Sequence, residues 1–347
     1  MNSRLRIGAA TNRQGRCVFY WRDLADVPEG FGPTVVTIGN FDGVHRGHQS
    51  VLQQLVAAAS ERGAAAVVVS FEPHPLQVHR PEDAPELIMG LQDRVETLAD
   101  TGIDGLLMMH YTLELASQTP EEFVRSVFVD GLRAKAVVIG HDVRFGRGNS
   151  GDLSTMESLG ERLGFDVIAI DDFGSSLRTS TTAQGERRCS STWVREALEA
   201  GDVTTAARIL GRPHRMRGEV IHGAARGREL GFPTANLSPE ATGFIPADGV
   251  YAGWLIDSSQ VRWPAAISVG SNPTFEGVSR QVEAHVIDRP KEEVDVFDLY
   301  GQTVIVEFVR RLRGMVAYRG PEALVEQMRL DVDETRSVLS TEQRTYG

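Results

Sequence analysis

From Thr34 to about Ile170, apolar runs alternate with helical patterns, and no other feature of the sequence restricts the fold as much. Thr34-Val35-Val36-Thr37-Ile38 reads as a buried strand, after which Val51, Leu52, Leu55, Val56 and Ala59 recur at helical spacing. Ala64–Phe71, Gly105–His110, Ala134–Ile139 and Phe165–Ile170 read as four further strands. Helical segments fall between them. One is Pro120–Leu132, with proline at its start and Glu121 and Glu122 in the first turn. Strands that alternate with helices imply an α/β fold, a parallel sheet with helices on both faces. Ligands bind such sheets at the carboxyl ends of the strands.

After about Leu210 the pattern changes. Short β-branched segments, spaced by Gly, Pro and Asn, occupy Gly218–His222, Gly249–Ile256, Pro264–Val269, Gln281–Ile287 and Thr303–Val309. That spacing predicts an antiparallel sheet or small barrel. A terminal helix follows, with Pro321 near its start and Leu324, Val325, Met328 and Leu339 on one face. A chain of 347 residues has room for about two domains. The break falls near 185–212, and we place the two modules at 18–200 and 201–342.

Charge and cysteine narrow the function. The 36 basic and 47 acidic side chains leave a net charge of −11, which argues against sequence-independent nucleic-acid binding. No apolar run approaches the ~18 residues of a membrane span, and the first twenty residues lack the apolar stretch of a secretory signal. The two cysteines, Cys17 and Cys189, form neither a disulfide framework nor a zinc knuckle, so the expected location is the cytoplasm. A homo-oligomer is compatible with all of this, and nothing in the sequence sets the number of subunits. Lysine occurs only at Lys135 and Lys291, beside 34 arginines. GC-rich codon usage accounts for the bias. It still matters chemically, because no GxxxxGK[ST] loop exists and phosphate must be handled by backbone N–H groups, histidine, arginine or a metal.

The first strand runs into Gly39-Asn40-Phe41-Asp42-Gly43-Val44-His45-Arg46-Gly47-His48, and a helix follows at once. A glycine-rich turn there aims backbone N–H groups and a helix N-terminus at an anion site. His45 and His48, at i and i+3, can both reach one phosphate and stabilise charge on an α-phosphate and a departing pyrophosphate. Gly47 is expected to leave room for a nucleotide. The competing reading, two solvated loop histidines, does not explain why the pair sits at the end of the first strand. Class I aminoacyl-tRNA synthetases also carry H-x-G-H, but with a lysine-rich K-M-S-K-S loop that two lysines cannot supply. Ser190-Ser191-Thr192-Trp193-Val194-Arg195 instead offers hydroxyls at a helix start and an arginine one turn in, a second phosphate-binding end or a plain helix cap. Gly146–Gly151 formally fits G-x-G-x-x-G with Asp171 downstream, but it follows the fourth strand rather than ending the first, so we do not read a dinucleotide fingerprint.

In the second half, Gly227-Arg228-Glu229-Leu230-Gly231-Phe232-Pro233-Thr234-Ala235-Asn236-Leu237 reads as a rigid turn, set by Gly231 and Pro233, entering a short strand. Thr234 and Asn236 then share a face, and their oxygens suit Mg²⁺. Glu283 alternates with Gln281 and His285 on one face of a strand. It is a candidate base if that face points inward, and a solvated edge glutamate if it does not.

These motifs together resemble the bacterial bifunctional riboflavin kinase/FMN adenylyltransferase family, the prokaryotic FAD synthetases. The first half carries GNFDGVHRGH, SFEPHP (Ser70–Pro75), GHDVRFG (Gly140–Gly146) and SSTWVREAL (Ser190–Leu198). The second carries GFPTANL, PADGVYAG (Pro246–Gly253), SVGSNPTF (Ser268–Phe275), VEAHVID (Val282–Asp288), DLYG (Asp298–Gly301) and VEFVRRLRGM (Val306–Met315). The resemblance implies a Rossmann-like nucleotidylyltransferase module followed by a small antiparallel β-barrel riboflavin kinase module. The substrates would be ATP, riboflavin and FMN, with Mg²⁺ as cofactor. It places Gly39, Asn40, Phe41, Asp42, Gly43, His45 and His48 at the ATP phosphates and His74, Asp142, Phe145 and Gly146 around the flavin and adenine pockets. Ser191, Thr192 and Arg195 fall at a second phosphate loop. In the other module it places Gly231, Thr234 and Asn236 at Mg²⁺–ATP, Asn272 near the nucleotide and Glu283 at the ribityl hydroxyl. His141, Val143 and Cys189 depart from the pattern. Val143 stands where an aromatic wall is usual, which leaves a riboflavin kinase lacking the second step as one alternative. A non-catalytic flavin-binding protein and a nucleotidylyltransferase for another acceptor are the others.

Overall fold

The computed structural model describes residues 10–11, 15, 17–170, 187–223, 231–274, 277–288, 299–316 and 320–346. They fall into two compact units, Met1–Glu86 with Leu91–Cys189, and Leu87–Gly90 with Ser190–Gly347.

The first unit is built on β1 (Ala10–Thr11), β2 (Cys17–Trp21), β3 (Thr34–Ile38), β4 (Ala65–Glu72), β5 (Gly105–His110), β6 (Ala134–Gly140) and β7 (Asp166–Ile170). The sheet order is β1-β2-β5-β4-β3-β6-β7. Strands β2 to β7 pair in parallel, and β1 adds an antiparallel edge. All five expected strands are present, with Thr34–Ile38 and Gly105–His110 matching to the residue. Strand β2 was not foreseen, because no helical pattern precedes it. The helices are α1 (Arg46–Glu61), α2 (Pro75–His79), α3 (Leu91–Ala99), α4 (Leu113–Ser117), α5 (Pro120–Phe123) and α6 (Leu153–Leu163). The segment expected as one helix over 120–132 begins as α5 and widens into a π-helix over Val124–Gly131.

Val35 and Val36 are both fully buried although they point to opposite faces of β3, as a sheet covered on both sides requires. The chain leaves β3 for β4 and β5 on one side and for β6 and β7 on the other. The crevice between the carboxyl ends of β3 and β6 is therefore a topological switch point, where such sheets bind ligands.

The second unit is a closed antiparallel barrel of six strands. They are β8 (His214–Ile221), β9 (Ala235–Leu237), β10 (Gly249–Ile256), β11 (Arg262–Thr274), β12 (Gly277–Val286) and β13 (Thr303–Arg313). Tyr251 and Leu255 of β10 are fully buried on one face. Ala252 and Trp254, on the other, pack with Val309 under Val338 and Leu339 of α9 (Pro321–Tyr346). The terminal helix is thus why β10 is apolar throughout instead of alternating. Arg313 grips the buried Asp331 of α9 through two hydrogen bonds of 2.9 and 2.7 Å. Helices α7 (Ser191–Glu199) and α8 (Val203–Leu210) belong to this unit by their contacts. Arg311 of β13 donates to the Ala200 carbonyl just past α7 at 3.2 Å.

Candidate active sites

At the switch point the chain leaves β3 through a turn with three left-handed residues, Phe41 (φ +50°), Gly43 (+81°) and Val44 (+39°). A β-branched residue there is a strained exception, and such strain persists only where neighbours over-determine the backbone. They do so here. Ser70 Oγ and Arg94 Nη1 both donate to the Asn40 carbonyl at 3.3 Å, and Gln49 Nε2 donates to the Val44 carbonyl at 2.8 Å. Phe41 and Asp42 are buried.

His45 is the N-cap of α1. Its Nδ1 accepts from the His48 backbone N–H at 3.3 Å, so the neutral ring carries its proton on Nε2, free of the capping role. The His45 and His48 rings stack at 3.7 Å with 19° between planes, and Phe41 meets His48 edge-on at 5.1 Å. Two imidazoles thus stand side by side at a helix N-terminus, where the dipole favours an anion. A Cβ on Gly47 would lie 3.0 Å from Cε1 of His45, so glycine here also leaves that ring its place beside the helix start.

His74 caps α2 in the same way, with Nδ1 accepting from the Leu76 N–H at 3.2 Å. Its Nε2 lies 3.1 Å from the Asn40 amide, which links the end of β4 to the β3 turn. Beyond Asn40 opens a cavity of about 400 Å³, lined by Gly39 and Asn40 from the turn after β3 and by Asp142, Val143, Phe145 and Gly146 from the loop after β6. Phe71, Tyr111 and Phe123 complete its walls. Four aromatic rings therefore surround the cavity even with valine at position 143. The Tyr111 hydroxyl pairs with His79 Nε2 at 2.9 Å, and burial raises its pKa. Asp142 is bridged by Arg188 at 2.9 Å.

The Gly146–Gly151 segment closes on itself as a tight loop. Phe145 and Gly151 exchange backbone hydrogen bonds of 3.1 and 2.9 Å, and a Cβ on Gly146 would strike Pro120 at 2.7 Å. These glycines serve turn geometry, in line with setting the dinucleotide fingerprint aside; Asp171 lies outside the described residues. Cys189 is buried, and burial raises its thiol pKa against the opposing charge of Arg46. In α7 the capping hydroxyl is that of Ser190, which accepts from the Trp193 N–H at 3.2 Å. Ser191 and Thr192 occupy the first turn, with Arg195 one turn further on.

In the barrel, the short strand β9 carries Asn236 directly opposite Glu283 of β12. Thr234 Oγ1 donates to Glu283 Oε2 at 3.3 Å, and Asn236 Nδ2 approaches Thr234 Oγ1 at 3.4 Å. Three residues named from the sequence therefore meet. The contacts are long for hydrogen bonds, so the side chains are not locked to one another. Val282, Ala284 and Val286 take the buried side of β12, so Glu283 lies on the opposite face. It is half-buried there, neither inward nor at a solvated edge. Two further residues, His285 from the Glu283 face and Gly223, which the sequence reading did not single out, shape this cluster. His285 Nδ1 donates to the Pro233 carbonyl at 2.9 Å, pinning the turn before Thr234. Gly223 makes space for Asn236, whose amide atoms would lie 2.5 Å from any Cβ there. Gly231 takes φ +86°, as the turn requires. Gly227–Leu230, Phe275 and Asp298 lie outside the described residues, as does the Asn272 side chain.

The Thr234–Asn236 pair fits Mg²⁺ by donor chemistry, since both residues offer neutral oxygens beside a carboxylate and an ion there would fill its shell with phosphate oxygens and water. Among the described residues, no group of three or more His, Cys, Asp or Glu forms a self-sufficient metal site.

Fold and sites together define a two-part phosphate-transfer enzyme, an α/β nucleotidyl-transfer unit joined to a kinase-type barrel. The FAD synthetase family profile matches residues 28–183, and the riboflavin kinase profile matches residues 210–339. The bifunctional riboflavin kinase/FMN adenylyltransferase of Escherichia coli K12 is 34% identical over 297 residues, covering 86% of this chain and 90% of that protein. The Pseudomonas fluorescens protein of the same name is 36% identical, covering 88% and 92%. The chain belongs to the bifunctional riboflavin kinase/FMN adenylyltransferase family. A crystal structure described as a macrolide-efflux protein from Streptococcus pneumoniae is similar at TM-score 0.78 and 29% identity, covering 92% of this chain and 98% of that one. No helix among the described residues of this chain is long and apolar enough to cross a membrane.

Proposed function

We propose that this chain converts riboflavin to FMN in the barrel unit and FMN to FAD in the α/β unit, each with ATP. The observation that carries the reading is the presence of two separate phosphate-handling constellations in one chain, one in each unit.

In the barrel, Glu283 takes the proton of the ribityl 5′-hydroxyl as its oxygen attacks the γ-phosphorus. The P–O bond to the β-phosphate breaks and ADP leaves. Phosphoryl transfer asks the protein chiefly for positioning and charge neutralisation. Thr234 and Asn236 would hold Mg²⁺, which supplies neutralising charge at the phosphates when bound. In the α/β unit, an FMN phosphate oxygen attacks the α-phosphorus of a second ATP and pyrophosphate leaves. No proton needs abstracting, so the groups required are donors to developing negative charge. His45 Nε2–H, His48 and the backbone N–H groups at the start of α1 fill that role, and Arg195 is assigned to adenylyl transfer by the family resemblance alone. His74, Asp142, Phe145 and the aromatic cavity hold the flavin and adenine, Asn40 faces the ATP phosphates, and the family resemblance assigns Ser191 and Thr192 to phosphate. Asn272 contributes to the nucleotide site of the barrel. The chain works in the cytoplasm on small molecules, without nucleic acid.

Riboflavin incubated with excess Mg-ATP, with the three flavins resolved over time, tests the reading. FMN should rise and then give way to FAD. FMN that accumulates without FAD would leave a kinase alone, and bound flavin without turnover would leave a binding protein.

A further inference from the structure

We infer that Arg94 is a positioning residue for adenylyl transfer, acting through the strained turn that carries His45 and His48. The inference rests on the reading of the first unit as the adenylyltransferase.

Arg94 lies on α3 and is 2% exposed. Its guanidinium spans two strand ends. Nη1 donates to the Asn40 carbonyl at 3.3 Å, and Nη2 donates to the Phe71 carbonyl at 3.0 Å and pairs with the Glu72 carboxylate. Met108 Sδ lies 3.6 Å from Nη2. Asn40 and Phe71 both line the cavity. A carbonyl at a strand's carboxyl end turns negative charge towards whatever binds there, and the guanidinium offsets that charge from beneath.

The Asn40 carbonyl also belongs to the peptide plane that sets φ of Phe41, the first of the left-handed residues. Holding this oxygen holds the plane, and with it the turn that delivers His45 to the N-cap of α1. Ser70 Oγ and Arg94 both donate to it from side chains. An ion pair alone does not explain the arrangement, since Glu72 is one-third exposed and could be solvated without a buried partner. A planar fork is what reaches two carbonyls and a carboxylate at once, and an ammonium group cannot match it.

The test uses the full chain with Arg94→Met, Arg94→Lys and Ser70→Ala. Thermal unfolding, riboflavin phosphorylation, and kcat and KM for adenylylation of added FMN are measured on the same preparations. Arg94→Met should lower adenylylation kcat about hundredfold, in keeping with misplacement of catalytic groups by about 1 Å, while KM for ATP moves less than about threefold. Arg94→Lys should recover about tenfold of that loss, and Ser70→Ala should lower kcat severalfold with the ion pair intact. Riboflavin phosphorylation should stay within about twofold in all three, as an internal control. Should Arg94→Met fail to fold, the Arg94→Lys and Ser70→Ala kinetics decide. Adenylylation that is unchanged in Arg94→Met, or that falls only in step with unfolding temperature across the series, overturns the inference. Wild-type protein that makes FMN but no FAD overturns the assignment of the first unit, and the inference with it.

Discussion

Replacing Gly223 by alanine should disable riboflavin phosphorylation while leaving the rest of the protein nearly untouched. The new Cβ would lie 2.5 Å from Cγ, Nδ2 and Oδ1 of Asn236, against an ordinary carbon contact of about 3.5–4.0 Å. Something must yield by about 1 Å. The Asn236 backbone cannot, because it pairs with Glu283 on one side and with Ile221 on the other. The amide must therefore swing, taking a proposed Mg²⁺ ligand out of place. Gly223 does not use a left-handed φ, and it is exposed, so neither backbone strain nor lost packing confuses the result. A misplacement of about 1 Å in a positioning group lowers rate about 10²-fold, equivalent to about 2.7 kcal/mol on the transition state. The assay supplies riboflavin and Mg-ATP to follow FMN, and separately supplies FMN to follow FAD. Phosphorylation should fall by roughly one to two orders of magnitude with adenylylation unchanged. Phosphorylation within about twofold of wild type would refute the reasoning, since the amide could then move freely without consequence.

Other outcomes follow from the same geometry. His48→Ala should lower adenylylation of added FMN by about 10²–10³-fold and leave phosphorylation intact, and Glu283→Ala should do the reverse. Loss of both activities from either variant in folded protein would break the division of labour. Asp331→Ala leaves Arg313 without its carboxylate at a site where the aspartate is 4% exposed, and should destabilise the barrel unit by about 3 kcal/mol in denaturant unfolding. Asp152 caps α6, and hydrogen bonds from the Thr155 backbone, then from the Thr155 and Ser154 hydroxyls, lower its pKa from 3.8 to about 2. A depressed carboxylate contributes fully above its unfolded value and loses its contribution as pH falls through the folded one. Asp152→Asn should therefore flatten the fall in stability between about pH 4 and pH 2, read by unfolding at each pH.

Much of this protein is written in local pattern. The strands β3 to β7 were legible because each is an apolar run bounded by turn residues. The H-x-G-H turn was legible because its position at the end of the first strand has a chemical meaning. Thr234 and Asn236 were legible as a pair because alternation in a strand is a short-range rule. Strand β2 escaped, since its five residues mix buried Val18 and Trp21 with exposed Cys17 and Phe19 and depend on pairing with β5, nearly ninety positions later. Glu283 could be named but not placed, because alternation gives two faces without saying which one is covered.

By itself the sequence determined the two architectures, the order of the motifs and the chemical character of the phosphate-handling groups. Those depend on residue type and on spacings of two to four positions. Only the tertiary structure decided which groups meet. It brought Arg94 under Asn40, set Glu283 against Thr234, gave Gly223 its role beside Asn236, and laid the ring of His45 close over Gly47. These contacts join residues on different strands and helices, or fix a side chain's direction at a strained turn. Both depend on how the backbone closes in three dimensions, which periodicity along the chain does not encode.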